Sequence, residues 1–434
     1  MSEKNKKPAE ANLQSVKGMH DIIGADYYLY QGFSEKAAEI AIYYGFQPID
    51  TPTLEKEDLF LRGVGEENDM TQKEMYTLKT RGGDRLAMRP EGTAGVMRSY
   101  LEHGMHSLPQ PLMFYYYGPF YRHENPQAGR KRQFHQFGLE VLGTKKSVAD
   151  AMIIMMMKTT LEEAGLKNLQ IDINSIGDND CRGNWRRELT NYYKKHIKEI
   201  CPDCRERLKT NPLRVLDCKN EKCQEIKAGA PESISYLCSG CKAHFKEVLE
   251  YLDSMKIEYR INPSLVRGLD YYTRTVFEIS SLPVEGQTGL PLALGGGGRY
   301  DYLAKTLGSK KDVPAVGASI GVDRVVMSPD YEKLTPRIIK KPKVFFIQLS
   351  PDAKMKSFEV IEILRGAKIP LVQTIAKDSL GAQLAQAEKL RVPYAVILGQ
   401  KEAMEGTVIV RHMDTRSQDT VKIGLLAEYF KSLK

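Results

Sequence analysis

The chain has 434 residues, of which 42% are hydrophobic and 27% charged, and its formal net charge is +8. This composition is typical of a soluble globular protein, and the length exceeds what one ordinary core accommodates, so we expect two or three domains. The longest apolar run, residues 151–157, is too short to cross a bilayer, and the polar, lysine-rich first dozen residues lack the apolar region of a secretory signal.

Residues 1–14 are predicted to be a disordered tail. With no signal and no membrane span, the protein is expected to be cytoplasmic and to have no membrane partner. The seven cysteines would then be reduced or metal-bound rather than paired in disulfides.

The next 170 residues combine helical and strand patterns. In chain order they predict a helix at 26–44, an extended segment at 46–54, a strand and turn at 85–93 followed by a helix to 101, aromatic strands at 112–122 and 134–142 joined by a polar, basic loop, a helix from 147 to 164, and a strand at 169–174.

Residues 181–260 are predicted to form an inserted, helical, cysteine-rich subdomain, because the pattern here changes from strands to basic, cysteine-containing helices. The β pattern returns at 265–279, 292–294 and 316–320, so one catalytic core of residues 15–180 and 261–330 is expected around the insertion. Residues 331–342 are predicted to be a linker. The alternation of strands and helices over 343–434, closing with a helix from about residue 421, predicts a compact α/β domain.

The positive charge is concentrated in two of these segments. Residues 181–260 hold 17 Lys and Arg against 12 Asp and Glu, and residues 341–434 hold 15 against 10, so each carries +5 and the remainder −2. That distribution suits a polyanion held at two places around a near-neutral body. A merely soluble basic protein would show it too, so charge alone leaves both interpretations open.

The segment 265–278, LVRGLDYYTRTVFE, places a lone arginine between apolar residues and a tight turn. Held rigidly, Arg267 could meet a carboxylate or a phosphate through two hydrogen bonds, and the two tyrosines that follow could offer hydroxyl groups. The alternative is an ordinary hairpin in which Arg267 pairs with a local acid such as Asp270.

The tetraglycine at 295–298 fits neither common phosphate-binding motif. No Gly-Lys-Ser/Thr follows it, and Tyr300 stands where a dinucleotide fingerprint would need its last glycine. Close approach of a ligand and close packing of a neighbouring strand remain equally open.

The predicted hairpin over 121–140 is more specific. Its second strand carries Gln136 and Glu140 among aromatic residues, and burying such groups unpaired costs about 1–3 kcal/mol. Phe134 begins that strand and could stack on a base. A site-facing strand is favoured over a solvent-facing polar edge.

Taken together, these motifs resemble those of the bacterial-type histidyl-tRNA synthetases, a family of class II aminoacyl-tRNA synthetases, from about residue 17 to the C-terminus. Residues 89–93, RPEGT, resemble the amino-acid-binding turn, residues 120–140 resemble motif 2, and residues 317–324 resemble motif 3. The histidine-specific motif is matched by residues 265–272, and motif 1 by the segment around Pro52.

The resemblance implies an α+β fold: a class II antiparallel sheet flanked by helices, a helical insertion, and a C-terminal α/β anticodon-binding domain. It implies ATP-dependent ligation of L-histidine to tRNA(His) through a histidyl-adenylate, with Mg²⁺ bridging the phosphates. A homodimer formed through motif 1 is implied as well.

Residue roles follow from the same resemblance. Catalysis would rest on Arg267 and Arg122. Histidine would be bound by Glu91, Gly92, Thr93, Gln136, Glu140, Arg267, Tyr271, Tyr272 and Tyr300, and ATP by Arg122, Glu124, Phe134 and Arg324. The acceptor end of the tRNA would meet Gln127, Arg130 and Arg132, although Asn125 stands where many relatives carry arginine.

Six of the seven cysteines lie between residues 201 and 241. Two C-x-x-C pairs are a zinc signature, so a structural Zn²⁺ bound by Cys201, Cys204, Cys238 and Cys241 is one hypothesis. A set of reduced thiols is the other, and Cys181, outside the cluster, is expected to be an ordinary thiol.

Two other function classes fit parts of the pattern. A catalytically inactive paralogue, the regulatory subunit of the first histidine-biosynthesis enzyme, shares the catalytic fold but usually lacks the anticodon domain. A zinc-stapled RNA-binding protein would explain the insertion but not residues 265–272. Retention of Arg122, Arg267 and Arg324, together with the domain at 343–434, favours the ligase.

Overall fold

The structure is a computed structural model that describes residues 13–124, 129–283, 291–376 and 378–433. It divides into two compact units, Met1–Pro336 and Arg337–Lys434, and this division falls inside the segment predicted as a linker. Within the described residues no helix is long and apolar enough to cross a membrane.

A large, mostly antiparallel sheet organises the first unit. Among the described residues it has eight strands in the order β1-β5-β6-β11-β10-β9-β7-β8, with parallel pairing only at its two edges. The strands are β1 Gln47–Pro48, β5 Leu112–Tyr121, β6 Gln133–Leu142, β7 Leu169–Ser175, β8 Arg260–Ile261, β9 Thr273–Ser281, β10 Leu292–Arg299 and β11 Ala315–Gly321. The expected class II sheet is therefore present.

A small antiparallel sheet, β2-β4-β3, leads into the candidate site. Its strands are β2 Leu54–Lys56, β3 Thr77–Lys79 and β4 Arg85–Met88. Directly after β4 the chain turns into the helix at Thr93–Glu102, as the strand–turn–helix pattern predicts.

Helices cover the large sheet and extend into the insertion. The helices of this unit are α1 Ala25–Tyr43, α2 Glu57–Val64, α3 Thr93–Glu102, α4 Ser147–Glu163, α5 Arg182–Lys195, α6 Pro202–Thr210, α7 Glu221–Lys227, α8 Ser239–Ser254, α9 Leu303–Thr306 and α10 Val322–Val326. A 3₁₀ segment, Pro212–Asp217, joins α6 to α7. The methionine-rich α4 lies in the core, where Met156 and Met157 are fully buried.

The second unit has a five-stranded sheet in the order β13-β12-β14-β15-β16. Its strands are β12 Val344–Gln348, β13 Leu371–Gln373, β14 Tyr394–Leu398, β15 Thr407–His412 and β16 Gln418–Lys422, and its helices are α11 Pro351–Gly366, α12 Leu380–Lys389, α13 Gln400–Glu405 and α14 Leu426–Ser432. The predicted final helix is present, but it begins at Leu426 rather than at about residue 421, because β16 pairs with β15 as far as Lys422.

Candidate active site

A cavity of about 450 Å³ opens beside the centre of the large sheet. Its wall combines the turn before α3, the ends of β5 and β6, the loop before β9, the glycines of β10 and the start of α10. Of the predicted histidine and ATP residues, those lining it are Glu91, Gly92, Thr93, Arg122, Glu124, Phe134, Gln136, Arg267, Tyr271, Tyr272 and Arg324. Residues scattered over more than 230 positions of sequence thus meet at one site.

The turn before α3 presents a buried carboxylate to the cavity. Glu91 accepts hydrogen bonds from the backbone N–H groups of Thr93 (2.7 Å) and Ala94 (2.9 Å), which are unpaired donors of the helix N-terminus. The hydroxyl of Tyr271 donates a third at 3.2 Å. Burial raises the pKa of Glu91 in spite of these donors. An ammonium group at the open side would be attracted to this carboxylate.

Glu140, on β6, lies behind the wall of the cavity. Thr93 donates a hydrogen bond to it at 2.6 Å, Tyr300 donates to its other oxygen, and the Tyr116 hydroxyl lies 3.4 Å away. Burial raises the pKa of Glu140 to about 8, although the hydroxyl donors act against it. Neither Glu140 nor Tyr300 lines the cavity, whereas Thr93 and Tyr116 do. The long contact to Tyr116 is the one that a ligand N–H could replace most easily.

Tyr271 and Tyr272 line one end of the pocket, and Tyr300 packs behind them. Tyr271 packs against Tyr272 with ring centroids 4.8 Å apart, and it meets Tyr300 edge-on at 5.7 Å. Burial raises the pKa of Tyr272 to about 12, so its hydroxyl stays protonated at neutral pH and can both donate and accept.

Arg267 pairs with Glu278 on β9, and not with Asp270 as the hairpin alternative supposed. Burial acts to lower the pKa of Arg267, and Glu278 more than offsets it, so the pKa is raised and the guanidinium stays charged. Asp270 instead accepts hydrogen bonds from Asn68 and Asn211.

The tetraglycine allows close packing of the neighbouring strand, which is the second of the two roles left open for it. A Cβ on Gly297 would lie 2.1 Å from the carbonyl oxygen of Gly317 on β11, so strand packing requires glycine there. A Cβ on Gly296 would come within 3.0 Å of the Arg267 guanidinium, and Gly296 lines the cavity. Removing side chains here makes room for Arg267.

The other end of the cavity is basic and aromatic. The Arg122 guanidinium lies 5.3 Å from the Phe134 ring centroid and donates to the Pro90 carbonyl at 2.9 Å. Arg324 donates to the carbonyls of Gly129 (3.1 Å) and Ala293 (2.6 Å). Burial and nearby arginines lower the pKa of Arg324, which indicates crowded positive charge that an anion would relieve.

The loop between β5 and β6 is described only in part. Arg130 pairs with Glu124 at 3.0 Å, and Arg132 donates to the Glu124 carbonyl at 3.3 Å. Arg130 lines the cavity and Arg132 does not. The predicted contact at Gln127, and Asn125, lie outside the described residues.

Several residues with a clear role at the site were not singled out from the sequence. Arg89 is buried, donates to the Pro119 carbonyl at 3.0 Å and lies over the Phe120 ring. Asn68 donates to the carbonyl of Gly268 at 2.9 Å, which fixes the loop before β9. Arg89 stands inside the recognised RPEGT turn and could have been found there, whereas nothing local marks Asn68.

The zinc hypothesis named the wrong four ligands. Cys201 and Cys204 gather with Cys218 and Cys223, whereas Cys238 and Cys241 gather with Asp178 and Cys181. The two C-x-x-C pairs begin different helices, α6 and α8, so the fold separates them. Cys181, expected to be an ordinary thiol, is buried in the second group.

Comparison with known proteins gives consistent matches over almost the whole chain. The family described as Histidyl-tRNA synthetase matches residues 18–177 and 211–325, and the Anticodon binding domain matches residues 343–433. The histidine–tRNA ligase of Caldicellulosiruptor saccharolyticus is 42% identical over 420 residues, which covers 97% of this chain and 99% of that one.

Two further comparisons agree. The histidine–tRNA ligase of Dehalococcoides mccartyi is 42% identical over 413 residues, covering 95% of this chain and 98% of that one. A solved structure of apo histidyl-tRNA synthetase from S. aureus has a TM-score of 0.78 at 31% identity, over 97% of this chain and 100% of that chain.

Proposed function

This chain belongs to the histidyl-tRNA synthetase family and ligates L-histidine to tRNA(His), and we propose that the cavity described above is where it forms histidyl-adenylate from histidine and ATP. One observation supports the assignment most: a buried carboxylate, neighbouring tyrosines and several arginines line the same cavity. These groups complement an ammonium, an imidazole and a polyphosphate respectively.

The first reaction brings two anions together. A carboxylate oxygen of histidine attacks the α-phosphorus of ATP, a new oxygen–phosphorus bond forms, and the bond to the leaving pyrophosphate breaks. We assign Arg267 to the approach of carboxylate and α-phosphate, and Arg122 to the phosphates. Both guanidinium groups are fixed by protein contacts before substrate arrives, so little reorganisation is needed in the transition state.

Histidine recognition needs groups that match both ring nitrogens. We assign Tyr272 to one nitrogen and Glu140 to the other, with Glu140 reached in place of its long contact to Tyr116. Glu91 and Thr93 would hold the α-amino group, and Gln136 the main-chain groups. Gly92 would allow backbone approach, because a Cβ there would meet the Tyr116 ring at 2.4 Å. Tyr271 and Tyr300 hold these donors in place.

ATP would lie at the basic end of the cavity, with Phe134 and Arg324 on either side of the adenine and Glu124 beside the phosphates. Mg²⁺ bound with ATP would neutralise phosphate charge. Glu124 and Glu278 both line the cavity and offer the carboxylate oxygens that this ion prefers.

The second reaction transfers the histidyl group to tRNA. We assign Gln127, Arg130 and Arg132 to the acceptor end, and the second unit, which matches the anticodon-binding family, to the other end of the tRNA. A cytoplasmic location is proposed because tRNA is charged there for protein synthesis. A homodimer is supported by the exposed apolar side chains of Tyr27, Ile42, Tyr43 and Leu54, which lie on α1 and β2 around the motif 1 segment.

Amino-acid-dependent exchange of pyrophosphate into ATP tests the site. Exchange with histidine and with no other standard amino acid is expected, because a pocket that pairs both imidazole nitrogens rejects side chains that lack them. Sedimentation of the purified protein tests the dimer. Exchange with histidine that survives unchanged in both Arg122→Ala and Glu91→Ala would show that this cavity is not the adenylation site.

A further inference from the structure

Four thiols of the insertion converge on one point. The Sγ atoms of Cys201, Cys204, Cys218 and Cys223 all lie within 4.8 Å of one another, and the Cys201–Cys218 separation is 3.8 Å. In a tetrahedral site with zinc–sulfur bonds of about 2.3 Å, neighbouring sulfurs are about 3.8 Å apart. None of the seven cysteines is in a disulfide.

Backbone N–H groups point at two of these sulfurs. The N–H of Cys201 donates to Cys223 at 3.3 Å, and that of Asn220 donates to Cys218 at 3.5 Å. Such donors stabilise thiolates and orient metal ligands. The surrounding segment 198–227 contains eight Lys or Arg and six Asp or Glu, a net charge of +2. A divalent ion with four thiolates carries −2, so the segment would neutralise it.

The helices that hold these cysteines bury few side chains of their own. In α7 the buried residue is Cys223, and in α6 the buried residues are Cys204 and Leu208. Helices of seven and nine residues are not stable alone in water. Leu208 and Ile226 contribute apolar contacts to the core, and a metal would add to this limited packing.

We propose that Cys201, Cys204, Cys218 and Cys223 bind a structural Zn²⁺ as four thiolates. The ion closes the chain from residue 201 to residue 223 and stabilises a region with little core of its own. The family match covers 18–177 and 211–325, so it includes Cys218 and Cys223 but not Cys201 or Cys204.

The second group of possible ligands is less suitable. Asp178 already receives a hydrogen bond from Arg274 at 3.1 Å and one from the backbone N–H of Asp180 at 3.1 Å. A carboxylate already paired with an arginine is a poorer fourth ligand for zinc than a thiolate, so the group of four thiols is the better site. Cys181 therefore provides a matched control that alters thiols in the insertion without touching the proposed site.

The zinc-bound segment also supports the histidine pocket. Asn211, between Cys204 and Cys218, donates to Asp270 at 2.9 Å, in the loop that carries Tyr271 and Tyr272. Arg207 pairs with Asp69 at 2.8 Å, beside Asn68. Loss of the metal should therefore loosen the loop before β9 as well as the insertion.

The metal content of the full-length protein, purified under reducing conditions without chelator, tests this directly. In the Cys181→Ser background we expect about one zinc per chain, with an X-ray absorption spectrum showing sulfur neighbours alone at about 2.3 Å. Removal by an organomercurial should raise the KM for histidine about tenfold, and zinc addition after thiol regeneration should restore it. This measurement needs no ligand variant to fold.

Cys218→Ser and Cys223→Ser should each lower the zinc content by about one equivalent per chain, while Cys181→Ser lowers it by none from this site. Absence of tightly bound zinc, or oxygen neighbours in the Cys181→Ser spectrum, would overturn the proposal. So would zinc that persists in Cys218→Ser. If the KM for histidine stays the same after zinc removal, the proposed link between the zinc site and the histidine pocket is wrong.

Discussion

The two large sheets of this protein differ in what they bury. Among the described residues, the first unit buries nine acidic or arginine side chains: Glu57, Arg89, Glu91, Glu140, Asp150, Asp178, Arg299, Asp301 and Asp323. In the described part of the second unit the buried polar side chains are the neutral Gln348, Ser357 and Gln383. Since an unpaired buried charge is costly, each charge in the first unit needs a partner.

The difference separates the chemistry of the two units. Buried charge in the first unit is balanced by ion pairs, as for Asp150 with Arg299, or by hydrogen-bond donors, as for Glu91. The second unit has an apolar core and keeps its charge on the surface, where it can attract a polyanion but cannot select a small substrate. Four predictions test this contrast, in order of decreasing free energy.

Removal of the arginine from a buried ion pair in the first sheet should have the largest effect, which is on the free energy of unfolding. Arg299 is fully buried and meets Asp150 through hydrogen bonds at 2.5 and 3.1 Å. Burial acts to raise the pKa of Asp150, and Arg299 and His244 more than offset it, lowering the pKa to about 2. Arg299→Met should cost about 3–5 kcal/mol in the free energy of unfolding of the first unit, measured with urea, because Asp150 stays buried without its partner.

Two control variants are needed, one in each unit. Arg260→Met breaks the exposed pair with Asp172 and should cost less than about 1 kcal/mol. Gln383→Met removes a neutral hydrogen bond to the Gln348 carbonyl in the second sheet and should cost about 1 kcal/mol. Equal costs for Arg299 and Gln383 would remove the distinction between the sheets.

Arg267 should matter for the reaction more than for stability. Arg267→Ala is expected to lower histidine-dependent pyrophosphate exchange about 10²–10³-fold, the loss of one fixed donor to the transition state. Arg267→Lys should recover only part, because an ammonium cannot meet two anions with a planar fork.

Arg365→Ala, which removes an exposed arginine paired with Glu362 in the second unit, is the matched control and should leave exchange unchanged. Near-wild-type exchange in Arg267→Ala would refute the assignment. A fall in both variants would point to a loss of folding instead.

Glu140 links burial to substrate recognition through its pKa of about 8. Below that pH the carboxyl is protonated and accepts a hydrogen bond from an imidazole N–H more weakly than the carboxylate does, so the KM for histidine should fall as pH rises from about 6 to 8. Glu140→Gln should raise the KM about 10–100-fold and lose the part of the pH dependence that comes from this group.

Substrate ionisation affects wild type and variant equally, so the difference between the two profiles isolates Glu140. Parallel profiles would mean that Glu140 acts only by holding Thr93 and Tyr300. In that case Thr93→Ala should reproduce the whole effect.

The sequence predicts local features of this molecule well and distant pairings poorly. The strands of the β5–β6 hairpin follow from alternating aromatic residues, and the helix after RPEGT follows from its turn. The partner of Arg267 depends on how the loop enters β9, and the grouping of cysteines depends on which helix begins at each pair. Neither is set by spacing along the chain. Cys181 lies 57 residues from Cys238, so its position in the sequence does not indicate that the two belong to one cluster.

Strand β16 shows the same limit in the second unit. Its burial pattern leaves four of five residues exposed, so no apolar alternation marks it, and pairing with β15 makes it a strand. Helix α14 is recognisable from its own pattern, but its start is set by where that pairing ends.

The smallest expected effect concerns the surface of the second unit. Lys354 is paired with Asp378 at 2.5 Å, whereas Lys389 and Arg391 have no acidic partner within 4 Å among the described residues. A lysine or arginine without an acidic partner contributes more to phosphate binding than one that is already paired. Lys389→Gln with Arg391→Gln should reduce the slope of log KM for tRNA against log salt by about one to two, with less than about 1 kcal/mol of binding free energy lost at moderate salt.

Lys354→Gln should leave the slope unchanged, and histidine-dependent exchange should not respond in any of these variants. An effect of the double variant on exchange without tRNA would contradict the division of labour between the two sheets, because it would place surface charge of the second unit in the chemistry of the first.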